Sequence, residues 1–245
     1  MGCKINSFPP SISKIFTKTP KLTSIQTKQK SFPIVSSSLS QNHEEPITTT
    51  TQTQASPKTS IYNVNFITQN SCKLGISIFP DFVYNAEGGI GVGMGTKNET
   101  NSSNEVSINF DIQTLYIPPL NSKTTTFLGL PLPPFLKIEI SPELFQGIID
   151  EETGKVNLEF KAKFWFSVGS VYKAPPLIVW TVLTSEESVG TMRKGRGERL
   201  SKEGKCRLVG VATVQPIDDI FMNTFLGLPT ECLADMNATI AISSS

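Results

Sequence analysis

The chain has 245 residues, with 22 Lys and Arg against 21 Asp and Glu (net charge +1), four cysteines and one histidine. That histidine, His43, precedes every strongly patterned segment. The region after it therefore lacks the imidazole needed for Ser-His-Asp or Cys-His hydrolysis, His-ligated zinc, non-haem iron or His-ligated haem. The longest strongly apolar run, Leu177–Leu183, falls far short of the ~18 residues of a membrane-spanning helix.

The first acidic residue is Glu44, and residues 1–43 hold six lysines and no arginine among many Ser and Thr. Acid-poor, Ser-rich, basic segments are organelle addresses, and the missing arginine favours the plastid over the mitochondrion. Residues 1–40 are therefore predicted to be a chloroplast transit peptide, with cleavage near Val35-Ser36-Ser37. The expected location is the stroma, or the periphery of the thylakoid or plastoglobule. An acylated Met1-Gly2-Cys3 start is disfavoured, because Asn6 stands where the motif wants Ser or Thr. Residues 41–60 have almost nothing to bury and read as a disordered Ser/Thr-rich linker before a single β-rich domain at 61–245. Setting the six lysines aside leaves 16 basic against 21 acidic residues, net −5. That balance disfavours nucleic acid as a partner.

Within 61–245 the dominant period is two. Tyr62-Val64-Phe66, Leu74-Ile76-Ile78, Val106-Ile108-Phe110-Ile112 and Ile138-Ile140 read as strands with one apolar face. Ser141 followed by Pro142 resembles an N-cap and first helical position, predicting a short helix there. Val156–Val168 alternates over thirteen residues, ~40 Å at ~3.3 Å each, so it must coil. Leu177–Leu183 and Leu208–Val214 are apolar at both parities and read as central strands. Residues 217–228 follow helical spacing behind Pro216, with Asp218 and Asp219 at the positive end. Met236-Ala238-Ile240-Ile242 closes the series.

Turn signals fall at Asn121-Ser122, Glu152–Lys155 and Lys202–Lys205, and three Pro-Pro pairs (118–119, 133–134, 175–176) mark strand ends. The expected fold is all-β, mainly antiparallel, with one or two short helices, as a barrel or strongly twisted sandwich of about 8–10 strands. Phe-Leu-Gly-Leu-Pro occurs twice, at 127–131 and 225–229, with flanks that do not align. The layout is compatible with plastid lipid-associated β-barrel proteins as a class, a likeness of fold without a shared motif.

Two features are candidates for function. Gly89, Gly91, Gly93 and Gly95 fit neither the dinucleotide fingerprint nor a Walker loop. On a strand they leave one face bare, open to close protein packing or to a ligand, and Phe160, Phe164 and Phe166 are aromatic partners for such a site. All four arginines lie in one window: Arg193, Arg196, Arg199 and Arg207. Lys194, Lys202 and Lys205 join them against Glu198 and Glu203, a local +5. Arg193, Lys194, Arg196, Arg199, Lys202 and Arg207 are thus candidates for an anionic membrane surface or an acidic protein, or a solvated edge loop.

Cys72, Cys206 and Cys232 form no metal or disulfide pattern, and no cofactor is indicated. No carboxylate pair sits in a catalytic frame, so an enzyme is the minority expectation. The leading one is a non-catalytic plastid β-domain that binds a lipophilic ligand or docks on a membrane-associated complex. The alternatives are an assembly factor that uses the Arg loop, or a His-independent β-barrel enzyme.

Overall fold

The computed structural model describes residues 59–98 and 104–244. The segment expected to be a transit peptide, most of the expected linker, Cys3 and His43 lie outside the described residues. The strands in chain order are β1 (Thr59–Thr68), β2 (Cys72–Ile76), β3 (Phe82–Tyr84), β4 (Ile90–Asn98), β5 (Glu105–Phe110), β6 (Thr125–Phe127), β7 (Leu130–Pro131) and β8 (Leu136–Asp150). They continue with β9 (Val156–Val168), β10 (Tyr172–Lys173), β11 (Leu177–Thr184), β12 (Glu187–Val189), β13 (Lys194–Arg196) and β14 (Lys205–Val214). The helix α1 (Ile220–Leu226) then leads into β15 (Thr230–Ser244).

Hydrogen bonding runs β1-β4-β5-β8-β9-β11-β14-β15 and returns from β15 to β1, closing an antiparallel ring. The all-β, mainly antiparallel expectation holds, in the closed form of the two it allowed. The strand number exceeds the expected range because β3, β6, β7, β10, β12 and β13 are only two or three residues long. Closure needs tilted, coiled strands, and the longest (β8, β9 and β15) are 13 to 15 residues.

The ring widens toward one end because β15 forks. Its Ala238–Ser244 half pairs with β1, while Cys232–Asp235 pairs with β2, which continues into β3, β6 and β7. A bridge between Leu120 and Ile138 brings this second wall back to β8. The buried Cys72 sits at the fork, where its sulfur accepts the Asn237 N–H at 3.3 Å. Burial pushes this thiol above its usual range.

At the narrow end inward residues of β1, β5, β8, β9 and β14 meet. Val64, Val106, Ile149, Val156, Leu158 and Leu208 are fully buried there. Above them lies an aromatic layer, in which Phe145 stacks on Phe110 at 4.4 Å and meets Phe66 and Phe160 edge-on at 5.1 and 5.9 Å. Side chains from separate strands reach each other here because alternate positions all project inward.

Three sequence expectations need correction. Ser141 and Pro142 do not start a helix; they lie inside β8, where the register with β9 shifts between Pro142 and Leu144. Their helix-like chemistry is overridden by a β-bulge that tolerates proline. The helix expected at 217–228 is shorter: Asp219 is its N-cap, accepting from the Met222 N–H, and Gly227 ends it in the left-handed conformation. Finally, β11 is not covered on both faces. Ile178, Trp180 and Val182 look outward and are exposed, whereas β14 is covered outside by the β12–β13 hairpin, with Gly195 against Val209.

Candidate ligand cavity

Between the aromatic layer and the wide end the barrel encloses a cavity of about 480 Å³. Its floor is Phe66, Phe145 and Phe160; Phe164, Phe166 and Leu177 form one wall, and Leu74, Phe82 and Phe127 the other. Met222 and Leu226 project in from α1, which bridges the ends of β14 and β15 as a lid. The lid is held by its own capping bonds and by Tyr172, whose hydroxyl donates to Asp219 at 2.7 Å. Burial and the Asp219 carboxylate push that phenol up to about 12.

No Asp, Glu, Lys or Arg lines the cavity. Three of the four hydroxyl-bearing residues in its lining are already engaged, and the fourth, the exposed Tyr116, makes no side-chain hydrogen bond. Thr68 donates to the Ala86 carbonyl at 2.5 Å, Thr181 to that of Val211 at 2.8 Å, and the buried Tyr84 to that of Pro118. Cys232, also in the lining, is held neutral, its thiol pushed up to about 11 by burial. Among the described residues no buried side-chain nitrogen or oxygen lacks a partner. The surface offered to a ligand is therefore hydrocarbon and sulfur, with the Tyr116 hydroxyl as the one uncommitted polar group and without a counter-charge.

The sequence candidates are placed as follows. Phe160, Phe164 and Phe166 line the cavity together. The glycines of β4 do not line it. A side chain at Gly91 would meet Leu115, one at Gly93 the Phe110 ring and one at Gly95 Val106, so their bare face accepts core side chains. Gly89 sits against Thr68. Outside, Ile90, Val92 and Met94 are exposed.

The basic window is divided. The Arg193 guanidinium is turned inward, to the carbonyls of Ile76, Ser77 and Phe79 and to Asp81 at 2.6 Å. Arg199 pairs with Glu186 at 2.6 Å, and Arg207 with Glu198 and Asp235 at 3.3 and 3.7 Å. Arg196, Lys194 and Lys202 stand exposed on or beside the hairpin. The positive charge that looks concentrated in sequence is divided: Arg193, Arg199 and Arg207 are matched by carboxylates, and Lys194, Arg196 and Lys202 are not.

Sequence reasoning missed two elements of the site. Phe145, the centre of the aromatic layer, lies just past the bulge. The second is the Glu231 carboxylate, which receives the backbone N–H groups of Thr191, Met192 and Arg193 at 2.6, 2.7 and 2.8 Å and fixes the β12–β13 turn. These donors hold its pKa below the usual carboxylate value. A depressed pKa contributes stability that is present above the unfolded value, near pH ~4.3, and is lost as pH falls through the folded value. Glu231→Gln is expected to lower the melting temperature at pH 7 and to flatten its decline between pH 5 and 3. Melting curves of the two proteins across that range would show parallel acid limbs if the three N–H bonds contribute nothing.

Compared with known proteins, the chain matches no family model, no curated protein and no solved structure. Among the described residues no helix is long and apolar enough to cross a membrane, and no cluster of His, Cys, Asp and Glu has metal-site geometry.

Proposed function

We propose that this chain is a non-catalytic plastid β-barrel that binds a lipophilic small molecule in the cavity between Phe145 and α1. The observation that carries the reading is a cavity of about 480 Å³ whose lining contains no charged residue. Small-molecule sites commonly measure about 300–1,000 Å³. Unfilled apolar volume destabilises a fold by about 24 cal/mol per Å³, so hydrocarbon filling much of this space would stabilise it by several kcal/mol. The plastid address is carried by residues 1–40 alone, and a fluorescent fusion of that segment tests it.

The lining also limits the ligand class. A buried carboxylate needs a cation or several donors, and the walls supply neither. The favoured ligand is an uncharged chain, such as an ester or isoprenoid, with any polar end at the mouth. Full-length protein titrated with cis-parinaric acid and with its methyl ester at pH 8 is expected to bind the ester at least tenfold more tightly. Ala212→Phe places a ring in the cavity from β14, where Ala212 is buried against it, and is expected to abolish ester binding while the protein stays folded. Equal binding by Ala212→Phe, or preference for the free acid, would overturn the assignment.

A further inference from the structure

The wide end of the barrel carries an apolar rim. The ends of β2, β6, β9 and β14 and the starts of β3, β7, β8 and β15 all lie there, because Ile76 pairs with Cys232, Phe82 with Phe127, Leu136 with Val168 and Val214 with Thr230. Each connection at this end raises apolar side chains into solvent: Ile78 after β2, Leu128 between β6 and β7 and Leu130 at the start of β7, Phe135 before β8, Val171 after β9 and Ile220 on α1. All six are 70–91 % exposed. Phe221 and Phe225 add the outer face of the helix, in a ring series running from Phe79 through Phe225 and Phe221 to Tyr172 with spacings of 5.4–5.7 Å.

The two copies of Phe-Leu-Gly-Leu-Pro both fall on this rim. One makes the β6–β7 turn, the other ends α1, and in both the glycine has positive φ (80° at Gly129, 65° at Gly227). Leu128 and Phe135 also have positive φ, 51° and 71°. That conformation is costly for a residue with a side chain, and glycine would avoid the cost. The turns therefore carry apolar side chains where backbone preference alone selects none, a form of local strain that accompanies function.

We infer that this rim docks on an uncharged lipid surface and presents the mouth of the cavity to it. The inference deepens the ligand-carrier reading by naming the phase from which the ligand is taken. Charge on the rim supports a lipid partner. Residues 77–80, 128–135, 169–171 and 220–230 contain no Asp, Glu, Lys or Arg, in a chain that is 18 % charged. Of the ions directly behind, Arg193 is matched with Asp81 and Lys137 with Glu139, while Lys173 lies over the Trp165 ring and Asp218 is exposed beside α1. The rim thus complements hydrocarbon, and the exposed ions that flank it, Lys173 and Asp218, are of opposite sign and give it no net charge for an anionic surface or a charged protein face. It is also continuous with the cavity: Phe79, Pro133 and Phe225 belong to both, so a chain passing between lipid and barrel stays on apolar surface.

The test is flotation of the full-length protein with phosphatidylcholine vesicles. Wild type is expected to float, with partitioning unchanged between 50 and 500 mM salt and not increased by anionic lipid. The double variant Leu128→Gly plus Phe135→Gly removes two apolar contacts at positions whose φ glycine accepts freely, so folding is retained while partitioning falls at least tenfold. Three results would overturn docking: no flotation of wild type, equal flotation of the double variant, or a requirement for anionic lipid. Self-association in sedimentation that the double variant loses, without vesicle binding, assigns the rim to a second copy instead. Ala212→Phe separates the two proposals, since it is expected to float normally while failing to bind ester.

Discussion

Phe145→Ala is expected to cost about 3–5 kcal/mol of folding stability, the range for truncating a buried phenylalanine. The ring is 2 % exposed and is the hub between Phe110, Phe66 and Phe160. It separates the close-packed narrow end from the cavity, and strands on both sides are anchored by the barrel's hydrogen bonds, so collapse around the gap is limited. For a domain of this size each kcal/mol corresponds to ~2–4 °C in melting temperature, giving a fall on the order of 10 °C. The same change enlarges the cavity by a ring. A saturating apolar ester is therefore expected to restore more stability to Phe145→Ala than to wild type; at 100 times its Kd a ligand contributes ~2.7 kcal/mol. Calorimetry with and without the ester measures both effects. A loss below 1 kcal/mol would mean that Phe145 is peripheral to the core; an equal ligand shift in both proteins would mean that the ligand does not reach it.

The reason Phe145 escaped sequence reading is instructive about what alternation reveals. Along β9 inward positions keep one parity from Val156 to Val168, and the strand bounds could be read directly. Along β8 the inward residues are Leu136, Ile138 and Ile140, then Phe145 and Ile149. The bulge between Pro142 and Leu144 moves the apolar set from even to odd positions, so neither parity dominates and Ser141-Pro142 looks like a helix start. Alternation also reports what is apolar, not what is covered. Trp180 and Val182 make β11 resemble a central strand, yet no hairpin overlies them as β12–β13 overlies β14.

The site was legible only in part, for a related reason. Phe160, Phe164 and Phe166 share a strand face and could be grouped from one segment. The lid, the fork of β15 and the rim bring together residues from opposite ends of the domain, and nothing local records those meetings. The repeated Phe-Leu-Gly-Leu-Pro is visible in sequence, but its two copies become one feature only when Phe127 is placed beside Phe82 and Gly227 beside Ser77. The arginine window shows the converse. Four arginines close in sequence look like one binding surface, but the fold directs three of them to different partners and leaves Arg196 exposed.

Arg193→Ala is expected to destabilise the protein by about 2–4 kcal/mol, because it removes a partly buried charged donor from several acceptors at once. The side chain is 14 % exposed, and its three nitrogens reach Ser77, Ile76 and Phe79 carbonyls and the Asp81 carboxylate. Gly75 makes room for it, since a side chain there would lie 2.6 Å from the guanidinium. The guanidinium thus ties the β12–β13 hairpin to the turn carrying Ile78 and Phe79 at the cavity mouth. Arg193→Lys is expected to rescue little, as a single ammonium nitrogen cannot meet the carboxylate and three carbonyls together. Arg196→Ala removes an exposed side chain without hydrogen bond or ion pair and is expected to stay within about 0.5 kcal/mol of wild type. Urea unfolding of the three variants ranks them, and stopped-flow release of the ester reports on the mouth. Release from Arg193→Ala should be faster than from wild type because the Phe79 turn is freed. If instead Arg193→Ala unfolds at the Arg196→Ala midpoint and releases ester at the wild-type rate, the hairpin is held by Glu231 and not by the guanidinium.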